Sequence, residues 1–160
     1  MRFKKNFKIK VIIAVMIMIT LLTGSFVLEE SRSEEYIEKN ILVKLERVGG
    51  ITGIHWCLYI YQDGRVLITD PRIEDKLTQY EISDLKDVFE KNNFFTLDDT
   101  YKPSSVVVDS MASWITCVNN GKTRTVLITT GSDTPETLTN ILLKINEITD
   151  NIYRKANKRE

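Results

Sequence analysis

The sequence is poor in the residues that usually carry chemistry. It has one histidine, His55, and two cysteines, Cys57 and Cys117, among 160 residues. A single imidazole excludes zinc sites built on two or more histidines. It also excludes the His-Glu-x-x-His helix of metalloproteases, whose spacing sets two ligands on one helical face. A general base needs partners within hydrogen-bond reach. His55 stands alone where a glycine-rich bend enters a strand, so it reads as a bend or surface residue. Ser104-Ser105 has no nucleophile-elbow context. No cysteine follows Leu21-Leu22-Thr23-Gly24; Ser25 stands there instead, which excludes a lipoprotein signal. The expectation is a chain with no enzymatic activity, no cofactor and no metal.

Positive charge is also scarce outside one place. Bases and acids number 22 each, but Arg2, Lys4, Lys5, Lys8 and Lys10 lie in the first ten residues. Without those five, 17 bases face 22 acids, a balance of −5. An acidic body with no basic stripe argues against nucleic acid as a partner.

What the chain does have is an apolar run behind that basic flank. Val11 to Leu28 are 18 uncharged positions, with Glu29-Glu30 directly after them. Crossing a bilayer core takes about 20 apolar residues, and Lys10 can snorkel to extend the span. The basic side stays in the cytoplasm, so the chain on the C-terminal side of the run is translocated. Residues 1–28 therefore read as a signal-anchor contacting the lipid bilayer through 11–28. The alternative is a cleaved signal with Thr23 and Ser25 before the cut, giving a secreted protein. The anchor is favoured because Phe26-Val27-Leu28 continues the apolar run past that cut. Residues 29–40 are mostly charged and read as a linker or a short solvated helix.

Residues 41–155 carry folding patterns, and 156–160 form a basic tail. Hydrophobic content of 42% and charged content of 28% place the chain in the globular class. Ile41, Val43 and Leu45 alternate as one strand. Ile54 to Gln62 and Val66 to Ile68 flank Asp63-Gly64, a two-residue type I′ hairpin signal that would pair Tyr61 with Val66 and Tyr59 with Ile68. Asp70-Pro71 ends the second of these strands. Thr78 and Glu81 fit a capping box, ahead of Ile82, Leu85, Val88 and Phe89 at helical spacing. Asn92-Asn93 stops that helix, and Phe94, Phe95 and Leu97 fold back over the core. A second hairpin starts near Val106 and turns at Asn120-Gly121. Asp133 or Thr134 caps a last helix with Pro135 at its first position, and Leu138, Ile141, Leu142, Ile145, Ile148 and Ile152 form its apolar stripe. The fold class is α+β: an antiparallel sheet of about five strands (two hairpins plus an N-terminal strand) with two helices, preceded by one hydrophobic helix.

Three features of the body invite a functional reading. Cys57 and Cys117 fall in different strands; they form a disulfide if those strands are neighbours, or stay buried thiols. Asp98-Asp99 and Asp109 lack the spacing and glycine turn of a calcium loop and read as solvated. Gly50-Ile51-Thr52-Gly53 has the G-x-x-G form of RNA-clamping loops, but strands rather than helices flank it and the surroundings are acidic. Three glycines in five residues here mark a tight bend with positive φ.

Leu45-Glu46-Arg47-Val48-Gly49-Gly50-Ile51-Thr52-Gly53-Ile54 resembles the opening of the emfourin family. These are proteinaceous inhibitors of protealysin, a thermolysin-like zinc metalloprotease. The similarity continues through a hairpin, a helix, Phe94-Phe95-x-Leu97, a strand from Asp109 and a proline-started helix, over residues 42–149. It differs in its membrane segment and at Val48 and Ile51, where a small and an aromatic residue would be expected. The resemblance implies occlusion of a protease cleft by an apolar side chain on a rigid loop. Gly49, Gly50, Ile51, Thr52 and Gly53 would form the partner-binding segment. Ile51 and Ile54 would be the candidate plugs, with core packing the favoured alternative for Ile54. The expected function is a membrane-anchored or exported binding domain that restrains an exported metalloprotease; the alternative is an envelope-associated interaction module.

Overall fold

Alternation of apolar and polar residues, with period two, builds the sheet of this protein. The computed structural model describes residues 40–158. The segment 11–28 and nearly all of the linker lie outside the described residues. Among the described residues no helix is long and apolar enough to cross a membrane. Asn40–Glu160 form one compact unit.

The unit is α+β, as expected, but its sheet has seven strands and is mixed. The strands are β1 (Ile41–Gly49), β2 (Ile54–Tyr61), β3 (Arg65–Thr69), β4 (Arg72–Lys76), β5 (Thr100–Tyr101), β6 (Met111–Asn119) and β7 (Lys122–Thr129). Their order across the sheet is β4-β3-β2-β1-β6-β7-β5. Every pairing is antiparallel except β5 with β7. Two helices, α1 (Gln79–Lys91) and α2 (Glu136–Ala156), accompany it.

Both helices cover the same sheet face. Val43, Leu45, Leu58, Ile60, Val66, Ile68, Ile115 and Val126 share that face and form one buried cluster with Ile82, Leu85 and Phe89 of α1 and the α2 stripe from Leu138 to Ile152. Each fully buried Leu, Ile or Val contributes about 1.5–3 kcal/mol by leaving water. Three consecutive buried residues, Ile41, Leu42 and Val43, start β1. A register shift lies between Ile41 and Val43, so strict alternation gives way to a bulge there.

The helix ends follow local hydrogen bonding. The Thr78 hydroxyl accepts from the Glu81 amide at 3.2 Å and the Thr78 amide donates to the Glu81 carboxylate at 2.7 Å, the expected capping box. That bond from Thr78 holds the Glu81 carboxyl below its ordinary range. At α2, Pro135 sits at the cap position itself and no side chain caps the helix, one residue away from the expected placement. Asn93 takes positive φ after α1 and sends Phe94 into the core, with Phe95 and Leu97 packed against it.

Four expectations are corrected. The β2–β3 connection has three residues, Gln62–Gly64, with Gly64 at φ +88 and its amide donating to the Tyr61 carbonyl at 3.0 Å. Ile60 therefore faces Val66 and Leu58 faces Ile68. A slip of one residue moves every side chain to the other face, and this register places four apolar residues in the core. The expected count of about five strands falls short: Asp70-Pro71 ends β3, as expected, but in a turn with a cis peptide, after which β4 pairs back on β3 from Thr69↔Arg72 to Arg65↔Lys76. Residues 106–110 are not strand; β6 starts at Met111. The sheet is also not wholly antiparallel, because β5 joins β7 in parallel; with only two residues, β5 is too short to show a pattern in sequence.

Candidate functional site

The β1–β2 hairpin is where backbone geometry and unusual side chains coincide. Its tip is the glycine bend. Gly49 has φ +116, Gly50 +75 and Gly53 +63. A Cβ on Gly49 would stand 2.6 Å from the Ser110 carbonyl oxygen, closer than any side chain tolerates. The Gly53 amide donates to the Gly50 carbonyl at 3.0 Å, closing the turn, and the Gly50 amide donates to the Ser110 carbonyl at 3.4 Å. The turn is thus tied both to itself and to the start of β6.

This fixed loop presents apolar surface. Ile51 is 85% exposed. Ile54, for which core packing is the favoured of two readings in sequence, is 43% exposed, because it pairs with Gly49 at the end of the ladder beyond the reach of the helices. Val48 is exposed beside it. The loop leading into β6 runs at the same end of the sheet and adds Val106 and Val108, 96% and 82% exposed. Sequence reasoning found the glycine bend and Ile51 but placed Val106 in a strand. Asp109 takes positive φ at 60, which an extended strand does not allow.

Below the tip the hairpin carries a second group, on the face away from the helices. Glu46 lies directly across from Cys57, and His55 is on the same strand as Cys57, nearer the tip. His55 Nε2 stands 3.1 Å from Glu46 Oε1 and 3.8 Å from Cys57 Sγ. Lys44 Nζ binds the other carboxylate oxygen, Glu46 Oε2, at 2.7 Å. The Lys44 ammonium, with His55 second, holds the Glu46 carboxyl below its ordinary range, and the same bond raises Lys44. The Cys57 amide donates to Thr69 Oγ1 at 2.9 Å, so β3 anchors this part of β2. His55 is therefore a strand residue with partners, not an isolated bend residue. The signal that could have found the group is the register: centring the hairpin on Ile51-Thr52 sets Glu46 opposite Cys57.

The inward face of the same hairpin is structural. The Arg47 guanidinium lies 5.3 Å over the Trp56 ring and donates to Asn146 of α2 at 3.1 Å. Trp56 Nε1 donates to the Tyr153 hydroxyl at 3.1 Å. These bonds lock the hairpin onto α2.

Of the two readings of the cysteines, the buried thiols hold. Cys57 and Cys117 are both free and buried. They sit on β2 and β6 with β1 between them, about 9.5 Å apart at least by strand spacing, and on opposite faces. A disulfide needs its Cα atoms within about 7 Å. Burial pushes the Cys117 thiol up to about 12, so it behaves as a small hydrophobe. A shallow depression of about 510 Å³ is lined by Thr96, Leu97, Asp98, Tyr101, Asp133, Thr134 and Pro135; it brings together no nucleophile and base. Comparison with protein-family models and with curated proteins finds no match for this chain.

Proposed function

We propose that residues 41–155 form a non-enzymatic binding domain whose β1–β2 tip enters a concave site on an exported protein. In the sharpest form of this reading the partner is a thermolysin-like metalloprotease and the mode is occlusion, as the emfourin resemblance implies. The domain is held outside the cytoplasm by residues 11–28, as a single-pass anchor or, if the segment is cleaved, as a secreted protein. One observation carries the reading: Ile51 is almost fully exposed on a turn closed by the Gly53–Gly50 hydrogen bond and tied to the start of β6 through the Ser110 carbonyl. An apolar side chain on a rigid mount loses little conformational freedom on docking, which is what makes a plug effective. Isolated exposed aliphatics are common; one on a tip this constrained is not needed by the fold.

A second reading, an envelope-associated interaction module, is favoured by Val106 and Val108. They extend the apolar surface beyond one side chain, and larger exposed patches mark protein contacts.

The test is inhibition of thermolysin-like proteases by the unit Asn40–Glu160. Inhibition at micromolar concentration, lost on Ile51→Asp with the fold intact by circular dichroism, supports occlusion. No inhibition, together with partner capture that depends on Val106 and Val108, moves the reading to the interaction module. Recovery of the intact chain in the cytosolic fraction removes the export argument from both.

A further inference from the structure

We propose that Glu46, His55 and Cys57 form a mononuclear binding site for a borderline divalent transition ion, with zinc as the fitting case. This inference is independent of the inhibitor reading. It rests on where three side chains point.

The three donor atoms, a carboxylate oxygen, an imidazole nitrogen and a thiol sulfur, lie within 4.8 Å of one another. Both flanking ligands converge on the same ring atom, His55 Nε2. Zinc binds such donors at about 2.0–2.3 Å in a tetrahedron, so neighbouring ligands stand about 3.3–3.8 Å apart. The distances from His55 Nε2, 3.1 Å to Glu46 Oε1 and 3.8 Å to Cys57 Sγ, bracket that edge. The third edge, between the Glu46 carboxylate and Cys57 Sγ, is no longer than 4.8 Å, within the range that rotation of the Glu46 side chain would close.

The surroundings suit a metal better than they suit a simple ion pair. Lys44 occupies Glu46 Oε2 and leaves Oε1 aimed at the imidazole. It thereby orients the carboxylate for single-oxygen ligation, the task of an outer hydrogen-bond partner at metal sites. Thr69 fixes the Cys57 backbone from the next strand. A Glu–His pair alone has no use for a thiol beside it. The His55 side chain is 65% exposed, so the fourth position opens to water.

The donor set selects the metal. Thiolate and imidazole disfavour magnesium and calcium, and suit zinc, copper or nickel. Binding replaces the S–H bond of Cys57 with an S–Zn bond and releases that proton to solvent, with no redox step. Once bound, the ion ties β1 to β2 a short distance below the glycine bend.

The experiment uses the full chain in detergent, reduced and freed of metal, titrated with cobalt as a spectroscopic probe and then with zinc in competition with a chromophoric chelator. One equivalent binds, with a near-ultraviolet sulfur-to-cobalt band and strong visible bands of tetrahedral cobalt. Cys57→Ser abolishes the sulfur band, and His55→Ala and Glu46→Gln each lower zinc affinity by at least about tenfold, the scale on which even outer partners act. Cys117→Ala, which keeps the buried position apolar, leaves the metal bands in place. His55 is exposed, so His55→Ala keeps the fold, checked by circular dichroism, and remains informative if Cys57→Ser does not. Absence of one-equivalent binding at micromolar metal, a sulfur band that survives Cys57→Ser, or one that disappears with Cys117→Ala in a protein still folded by circular dichroism, overturns the proposal.

Discussion

Along strand β1 the residues facing the helices and those facing away differ in kind. Val43 and Leu45 are fully buried against α1 and α2. Lys44 and Glu46, between and beyond them, carry opposite charges and pair with each other, and Glu46 meets His55 and Cys57 across the ladder. The two cysteines divide the same way: Cys117 pairs with Val43 on the covered face, and Cys57 with Glu46 on the other. One strand thus holds the fold together with every second residue and leaves the others free for chemistry, because side chains alternate across the sheet.

The largest expected effect is the protection of the Cys117 thiol on the covered face. With its pKa raised from 9.0 to about 12, Cys117 carries about a thousandfold less thiolate than an ordinary cysteine at neutral pH. An alkylating reagent should leave it unmodified until the domain unfolds, as peptide mass spectrometry in a urea series will read. Modification of Cys117 in the native protein would break the two-face picture. Next comes packing. Leu45→Ala on the covered face should cost about 2–5 kcal/mol, measured by chemical denaturation; a loss no larger than a surface change would mean that the core is elsewhere. Gly49→Ala tests the tip that joins the faces. Its Cβ would meet the Ser110 carbonyl at positive φ, so it should cost about 1–3 kcal/mol and shift amide signals of β6 as well as β1.

The smallest effect is electrostatic. The Glu46 carboxyl is held below its ordinary value of 4.5, first by Lys44. A lowered carboxyl contributes stability that is complete above its ordinary value and is lost as the pH falls through the folded-state value. The denaturation midpoint should therefore drop on acidification below about pH 4.5, and Glu46→Gln should flatten that drop. A drop of unchanged size would place the acid sensitivity in other carboxyls, Glu81 and Asp63 among them, which are also lowered.

The parts of this organisation that depend on near neighbours were readable in sequence. Asn120-Gly121 turns β6 into β7 with positive φ at both residues and Asn119 facing Lys122, as a two-residue type I′ loop requires. The Thr78–Glu81 cap and the α2 stripe were equally local. Asp63-Gly64 misled because Gly64 serves a three-residue loop as well as a two-residue one. β4 was hidden because Arg72-Ile73-Glu74-Asp75-Lys76 buries little; an edge strand with one covered face needs only Ile73 and its ladder. Val106 to Val108 has strand-forming residues, yet Asp109 turns the chain before it can pair. The Glu46–His55–Cys57 group stayed unseen because it exists only across a ladder. Judged singly, each of its members was ordinary.

The two outer strands constrain how this protein can meet another. β4 lines one margin of the sheet with Arg72, Glu74 and Lys76, and β5 closes the opposite margin with two residues. A margin so charged or so short offers little template for a visiting chain to zip onto. The β4 margin is therefore guarded against addition of a further strand, while β5 covers only Leu127 and Ile128 of β7. Backbone-to-backbone growth of the sheet is thus disfavoured most at the charged side.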